Sequence, residues 1–407
     1  MKTIKLKKVA SALALAMTAA GASAQGGVSG GVVKIGVLTD MTSLFSDIGG
    51  PGSVLAAKMA VEDFGGKVLG APIEVVSADN QNKADIGAAK AREWFDTQNV
   101  DMITDALPSS VALAVNNVAR EKNRILMVTG AGTSSLTNES CSPNTVHYAY
   151  DTYATSTNTV KAMVKQGYDS WFFLTVDYAL GRSLEKDASE ALKETHGKVL
   201  GTVRHPTNAS DMASYLLQAQ ASGAKAIAMA NAGGDTINVA KQAEQFGLLK
   251  SGKQALAGLF VFITDIHSMG LPIAQGMILT TSFYWDRDDQ TRAWSKRFFE
   301  KHKRMPTMTQ AGTYSAVTTY LNAIKAAGTD DPQAVMAKMK STPVNDFFVR
   351  NGKIRADGRM LNDMMLVEVK KPSESKAPWD YYKIKAVIPG EEAYLPLSKS
   401  VCPLVKK

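Results

Sequence analysis

Two serines and one small-residue turn are the parts of this chain best suited to hold an anion. Ser109 and Ser110 follow Leu107-Pro108 at the start of a helical pattern, so their hydroxyls and the first unpaired N–H groups of that helix converge on one spot. Such a helix start favours negative charge. Ala131, Gly132 and Thr133 follow the apolar run Ile125 to Val128 and offer backbone donors plus a hydroxyl. A serine cap or a glycine turn alone is ordinary, but the two at successive strand ends indicate a binding site. Covalent chemistry has little support: the chain holds neither H-E-x-x-H nor G-x-x-x-x-G-K-S/T. His147, His196, His205, His267 and His302 are dispersed and lack metal-ligand spacing. No catalytic residue, metal or cofactor is therefore expected.

The elements that must position these groups alternate between strand and helix. In Val32 to Gly66 a buried strand runs into a hydroxyl- and glycine-rich loop and then a helix, the unit in which an open α/β sheet presents a ligand at a strand's carboxyl end. Strands at Val32 to Leu38, Ile73 to Ala78, Asp101 to Thr104 and Ile125 to Val128 are separated by helical stretches at 53–64, 84–97 and 109–122. After Tyr150 a second series begins, with strands at Trp171 to Val176, Val199 to Arg204 and Ala226 to Ala230 among helices at 153–166, 184–195, 212–221 and 235–246. This predicts two consecutive α/β halves with mainly parallel sheets. The last third, with a strand at 277–280, helices at 290–302, 310–327 and 332–339 and strands at 364–369 and 381–387, is too small for its own core. Sharing it between the halves makes the chain cross between lobes more than once, which predicts a hinge and a cleft.

The ends of the chain fix its compartment. Met1 to Lys8 carries four lysines and no acid, Val9 to Ala20 is an uncharged apolar run, and Ala22-Ser23-Ala24 reads as a cleavage pattern. We expect a secretory leader over residues 1–24, removed after Ala24. The formal charge of +8 becomes +4 without the leader's Lys2, Lys5, Lys7 and Lys8. The remaining bases are scattered among acids, which argues against a nucleic-acid partner. The two cysteines, Cys141 and Cys402, are expected to pair in an exported chain and to fasten the C-terminal tail to the middle of the sequence.

Read in order, the loop LTDMTSLFSDIGGPG, AVEDF, ALPSSVALAV, VTGAGTSSLT, WFFLTVDYALGRS, NAGGDTINVAKQAEQFG and QAGTYSAVTTYLNAIKAAG resemble periplasmic solute-binding proteins of ABC importers, in the branched-chain amino acid receptor class. The resemblance covers nearly the whole mature chain. The stretch CSPNTVHYAYDTYATS looks most like a subgroup linked to aromatic carboxylates. It implies an α/β, two-lobed type I periplasmic binding protein fold, each lobe a parallel-sheet α/β/α sandwich, joined by three hinge crossovers. The lobes are expected at 28–149 plus 279–345 and at 150–278 plus 346–390, with a tail at 391–407. Implied partners are a small-molecule carboxylate and an inner-membrane permease that receives it, with the receptor a monomer in the periplasm.

The resemblance also assigns roles at the site. It gives the ligand carboxylate to Ser109, Ser110 and Ala131 to Thr133, and places Phe45, beside Ser46, as an aromatic lid. Tyr150 and Asp151 at the first crossover, and Tyr178 and Asn231 at strand ends of the second half, would form the opposing jaw. Amino acid receptors of the class carry an acid that pairs with the ligand ammonium, and Phe260 falls at that position. Phenylalanine cannot make that pair, and an unpaired buried ammonium costs several kcal/mol. Phe260 and Tyr284 would instead supply stacking walls, so the expected ligand is a carboxylate with an aromatic or apolar body. Two alternatives stand: an aliphatic amino acid whose ammonium pairs with Asp265 or Asp151, and a secreted α/β enzyme or sensor.

Overall fold

The computed structural model describes residues 27–249 and 252–406. The expected leader and its cleavage point lie outside the described residues. Strands β1 (Val33–Thr39), β2 (Lys67–Val68), β3 (Ala71–Asp79), β4 (Met102–Asp105), β5 (Ile125–Val128) and β6 (Thr145–His147) form the first sheet, in the order β2-β3-β1-β4-β5-β6. All of its pairs except β2 with β3 are parallel. Helices α1 (Gly50–Phe64), α2 (Ala84–Thr97) and α3 (Ser109–Glu121) connect them. Alternation along β1 splits its side chains between two layers: Val33, Ile35 and Val37 join one core, while Leu38 joins the core of α2 and α3. On that second face Gly36 leaves the space that Trp94 fills, since a β-carbon there would lie 2.5 Å from the indole.

The second sheet is built the same way. After α4 (Thr152–Lys165), strands β7 (Ser170–Val176), β8 (Lys198–His205), β9 (Ala226–Ala230), β10 (Ala255–Gly258) and β11 (Ile278–Thr281) alternate with α5 (Ala179–Glu194), α6 (Ala213–Ala221), α7 (Gly234–Gln245), α8 (Ile263–Met269) and α9 (Leu271–Ala274). Trp171 and Phe173 face α4 and α5, and Phe172 and Leu174 face the opposite layer. The chain then returns to the first lobe as α10 (Asp289–His302), α11 (Met308–Ala327), α12 (Pro332–Ser341) and the short hairpin β12 (Lys353–Ile354) and β13 (Met360–Leu361). It crosses once more to add β14 (Met364–Val369) and β15 (Tyr382–Ile388), giving the order β15-β14-β11-β10-β9-β7-β8.

Two boundaries differ from expectation. Strand β11 pairs with β14 and touches β10, so the return to the first lobe begins after Thr281 rather than at residue 279. Residues 346–361 pack on the first lobe, where Phe348 stacks on Tyr148 and Asp346 accepts from Ser315, so the last crossing falls near Asn362 rather than at residue 346. Both sheets are mixed: β2 runs antiparallel to β3 in the first, and β14 runs antiparallel to both β11 and β15 in the second. The chain makes three crossings between lobes. A fourth link is the tail, where α13 (Gly390–Ala393) leads to the Cys141–Cys402 disulfide. On the way Asn158 donates to the Ala393 carbonyl (3.2 Å) and the Asn138 carboxamide accepts from the Val401 N–H (2.7 Å).

Candidate functional site

The carboxyl ends of both sheets face each other across one cavity. From the first lobe, Phe45, Ile48, Leu107, Ser109 and the Gly130 to Gly132 turn line it; from the second, Tyr178, Leu180, Ala232 and Phe260. The lobes are closed on it. The Phe45 and Tyr178 rings lie 6.4 Å apart across the cleft, and the enclosed volume is about 10 Å³, room for about one water. Admission of any larger ligand therefore requires the lobes to part.

Each wall is held by its own local network. The Phe45 loop hangs on Asp40, whose carboxylate accepts from the backbone N–H of Ser43 (2.9 Å) and Phe45 (2.8 Å) and from the Asn82 carboxamide (2.8 Å). Burial raises the Asp40 pKa, but the donors from Asn82, Phe45 and Ser43 outweigh it and leave the carboxyl below its ordinary range. Helix α3 has no side-chain cap, so the N–H groups of its first turn stay available at the cavity. Ser109 is buried and its Oγ accepts from the Thr133 N–H at 3.3 Å, joining the helix start to the turn. Ser110 sits on the same turn of α3 and is half-buried.

The 131–133 turn is fixed from behind. His147 Nε2–H donates to the Ala131 carbonyl at 2.8 Å, and the Thr152 N–H donates to the Gly132 carbonyl at 2.7 Å. Burial, with Arg359 nearby, holds the His147 pKa well below its usual value, so the ring is neutral. The Thr133 hydroxyl lies 2.7 Å from that of Ser183 in the opposite lobe. A β-carbon on Gly132 would stand 2.7 Å from the Phe260 ring, and one on Gly233 would stand 2.7 Å from the Leu44 carbonyl oxygen. Glycines at these two points let the lobes meet.

Of the residues expected from the sequence, Phe45, Ser109, Ala131, Gly132, Tyr178 and Phe260 come together as cavity wall. Ser46 and Asp265 line an adjacent outer groove of about 250 Å³. Asp265 accepts from the Phe262 N–H at 2.9 Å at the start of α8, and burial raises its pKa to about 7. Tyr150 is buried in the hinge, its hydroxyl donating to the Gly130 carbonyl (2.7 Å) with its ring edge on Phe260. Asp151 caps α4 through the Ala154 N–H (2.8 Å) and pairs with Arg359 (3.4 Å), so its carboxylate is already committed. Asn231 lies behind the wall, bonded to Thr236 and His205. Tyr284 belongs to the far core, with its hydroxyl on Asp380 and its ring on Tyr382, and lies outside the cavity. Ile48, Leu107 and Leu180 were not anticipated; apolar residues next to a strand end carry no signal that separates a ligand wall from ordinary core.

Paired α/β lobes that close on one cavity at their strand ends define a solute receptor. The periplasmic binding protein family matches residues 32–376, and the chain belongs to that family. It is a solute-binding component of an ABC transporter. A periplasmic binding protein from Burkholderia mallei shares 53% identity with a TM-score of 0.90, over 92% of this chain and all of its own. A branched chain amino acid ABC transporter periplasmic ligand-binding protein from Burkholderia xenovorans LB400 shares 42% with a TM-score of 0.82, over 92% of this chain and all of its own. A solute binding protein from Rhodopseudomonas palustris BisB5, in complex with 3,4-dihydroxy benzoic acid, has the same fold at 22% identity and a TM-score of 0.80, over 88% of this chain and 98% of its own. No curated protein matches the chain.

Proposed function

We propose that this receptor captures a small carboxylate with an aromatic or otherwise apolar body and hands it, in the closed form, to its inner-membrane permease. The observation that carries this reading is the cavity lining: Phe45, Ile48, Leu107, Tyr178, Leu180 and Phe260 are apolar or aromatic, and among the described residues the lining contains no acid. The helix start at Ser109 and the turn at 131–133 supply donors for a carboxylate, and nothing opposite them pairs with an ammonium. The Rhodopseudomonas palustris neighbour holds an aromatic acid in this fold; at its level of identity it speaks for the fold, so the ligand class here rests on this chain's own residues. Covalent chemistry is not part of the role. The mature receptor starts after Ala24, acts in the periplasm and works as a monomer.

A second reading has one support, the amino acid transporter name of the Burkholderia xenovorans relative. Under it, the buried Asp265 of the outer groove would turn towards the ligand ammonium. Isothermal titration with benzoate, 4-hydroxybenzoate, phenylacetate and cinnamate, with leucine and valine in parallel, separates the two. Binding of at least one aromatic acid in the micromolar range or tighter is expected. Tight leucine binding with no response to any aromatic acid would refute the first reading.

A further inference from the structure

Helix α5 carries more than cavity wall. Leu180, Ser183 and Asp187 recur at helical spacing along one face of it, turned towards the first lobe. Leu180 lines the cavity, Ser183 bonds Thr133, and one turn further Asp187 Oδ2 accepts from the hydroxyls of Ser134 (2.9 Å) and Thr152 (2.6 Å). Ser134 belongs to the first lobe and directly follows the 131–133 turn, while Thr152 opens α4 in the second. Thr152 also accepts from the Ser134 N–H at 3.1 Å and donates its own N–H to the Gly132 carbonyl. The turn expected to hold ligand is thus gripped on its outer side by a polar trio centred on a carboxylate that is 4% exposed.

We propose that Asp187 is the closure latch of the receptor, a positioning residue that engages Ser134 of the first lobe in the closed form and sets ligand affinity without touching ligand. This inference rests on the reading of a closing cleft. The contact spans the lobes, so parting them frees Ser134 and returns the carboxylate to water. The bond from Ser134 ends on a buried carboxyl group and is made in the closed state alone, so losing it leaves a buried polar partner unsatisfied there.

Closure should then take up a proton. Burial raises the closed-form pKa of Asp187 to about 7, with Asp151 adding to the rise and the hydroxyls of Thr152 and Ser134 and the charge of Lys186 opposing it. Glu139 and Ser134 of the first lobe, Lys186 and Glu190 of α5 and Lys399 of the tail line the groove beside it, and Tyr153 of α4 feels its charge. Opening returns Asp187 towards the ordinary carboxylate value. The closed form is therefore favoured as pH falls below about 7, by up to tenfold per unit, and the dependence flattens above.

The test compares wild type with D187A, D187N and S134A. Benzoate, 4-hydroxybenzoate and leucine are titrated against each from pH 5.5 to 8, and small-angle scattering is recorded with and without them. D187A and S134A should weaken whichever probe binds by roughly tenfold, mainly through faster release, whereas D187N should stay within about threefold of wild type at pH 7. Wild type should bind more tightly below pH 7, and the difference between its profile and that of D187N isolates Asp187 from other acids. D187A should also have the larger radius of gyration. Equal affinities, parallel pH profiles and equal radii would overturn the latch. If none of the probes binds wild type, the ligand reading fails separately; a larger ligand-free radius for D187A would still support the latch, and an equal one would overturn it.

Discussion

Gly132 and Phe260 meet across the cleft so closely that a β-carbon on the glycine would stand 2.7 Å from the ring. Contacts that short essentially never occur, so Gly132→Ala forces either the ring or a lobe to move. Phe260 is held between Tyr150 and Phe262, with ring centroids at 5.3 and 5.2 Å, and has little room to give. The open form is free of the clash. Gly132→Ala should therefore weaken ligand binding by tenfold or more while leaving the melting temperature of ligand-free protein within a few degrees of wild type. Calorimetric titration beside differential scanning calorimetry measures both, and unchanged affinity would show that this approach of the lobes is not needed for binding.

Ser109 ties the start of α3 to the turn after β5. Its Oγ accepts from the Thr133 N–H, and the uncapped first turn of α3 lies beside it. Ser109→Ala removes that acceptor and one candidate donor to the ligand while keeping the helix. A lost hydrogen bond with one partner left buried costs about 1–3 kcal/mol, so affinity should fall roughly tenfold to a hundredfold. Ser110→Ala, at a half-buried position, should have the smaller effect. Equal losses at the two serines would shift the anion site outward along the helix.

Much of this arrangement could be read from residue order, and the exceptions have physical causes. Helix α2, strand β5, strand β9 and strand β14 fall where hydrophobic periodicity places them, because each buries one face or both against a single layer. Strand β10 carries little strand signal because Ala255–Gly258 is short and lacks β-branched residues. The first turn of α5 precedes the helix expected at 184–195, and Gly181 within it weakens the helical pattern. In the fold that glycine serves close packing: a β-carbon would lie 2.0 Å from the Val176 carbonyl oxygen. Losing that turn hid Leu180 and Ser183, and with them the face that carries Asp187. The Phe45 loop and the turn after β5, which meet at one cavity, stand out as motifs in the sequence. Tyr150 and Asp151 were not separable from ligand contacts, since a tyrosine and an acid at a crossover look alike whether they face a ligand or, as here, a backbone carbonyl and Arg359.

Arg359 is the charge at the centre of the hinge. It is fully buried, donating to the Tyr150 carbonyl at 2.8 Å and the Met360 carbonyl at 2.9 Å, pairing with Asp151 at 3.4 Å and standing 4.5 Å over the Tyr394 ring. Removing one member of a buried pair strands the other in a low-dielectric site, at about 3–5 kcal/mol. Arg359→Met should lower the unfolding free energy, measured by denaturant titration, by that amount. The pair substitution Arg359→Met with Asp151→Asn should recover part of the loss, because it leaves no unpaired charge. A single variant as stable as wild type would mean that the pair contributes nothing to the hinge.

Asp105 ends β4 with a left-handed backbone (φ 72°) and a side chain enclosed by Gly49 and Gly130. Neither carboxyl oxygen makes a well-formed hydrogen bond, and burial raises its pKa to about 6, against the opposing pull of the Ser53 and Thr39 hydroxyls. A folded-state pKa above the unfolded one means that the favourable contribution is present at low pH and lost as pH rises through about 6. Asparagine tolerates the same backbone conformation and carries no charge to desolvate. Asp105→Asn should therefore melt higher than wild type at pH 8, and the advantage should shrink towards zero near pH 4. The pH dependence of the difference, measured by thermal denaturation of both proteins in matched buffers, is the decisive quantity. A wild type that is the more stable protein at pH 8 would mean that the hydroxyls of Thr39 and Ser53 hold Asp105 as a carboxylate and that its burial is compensated.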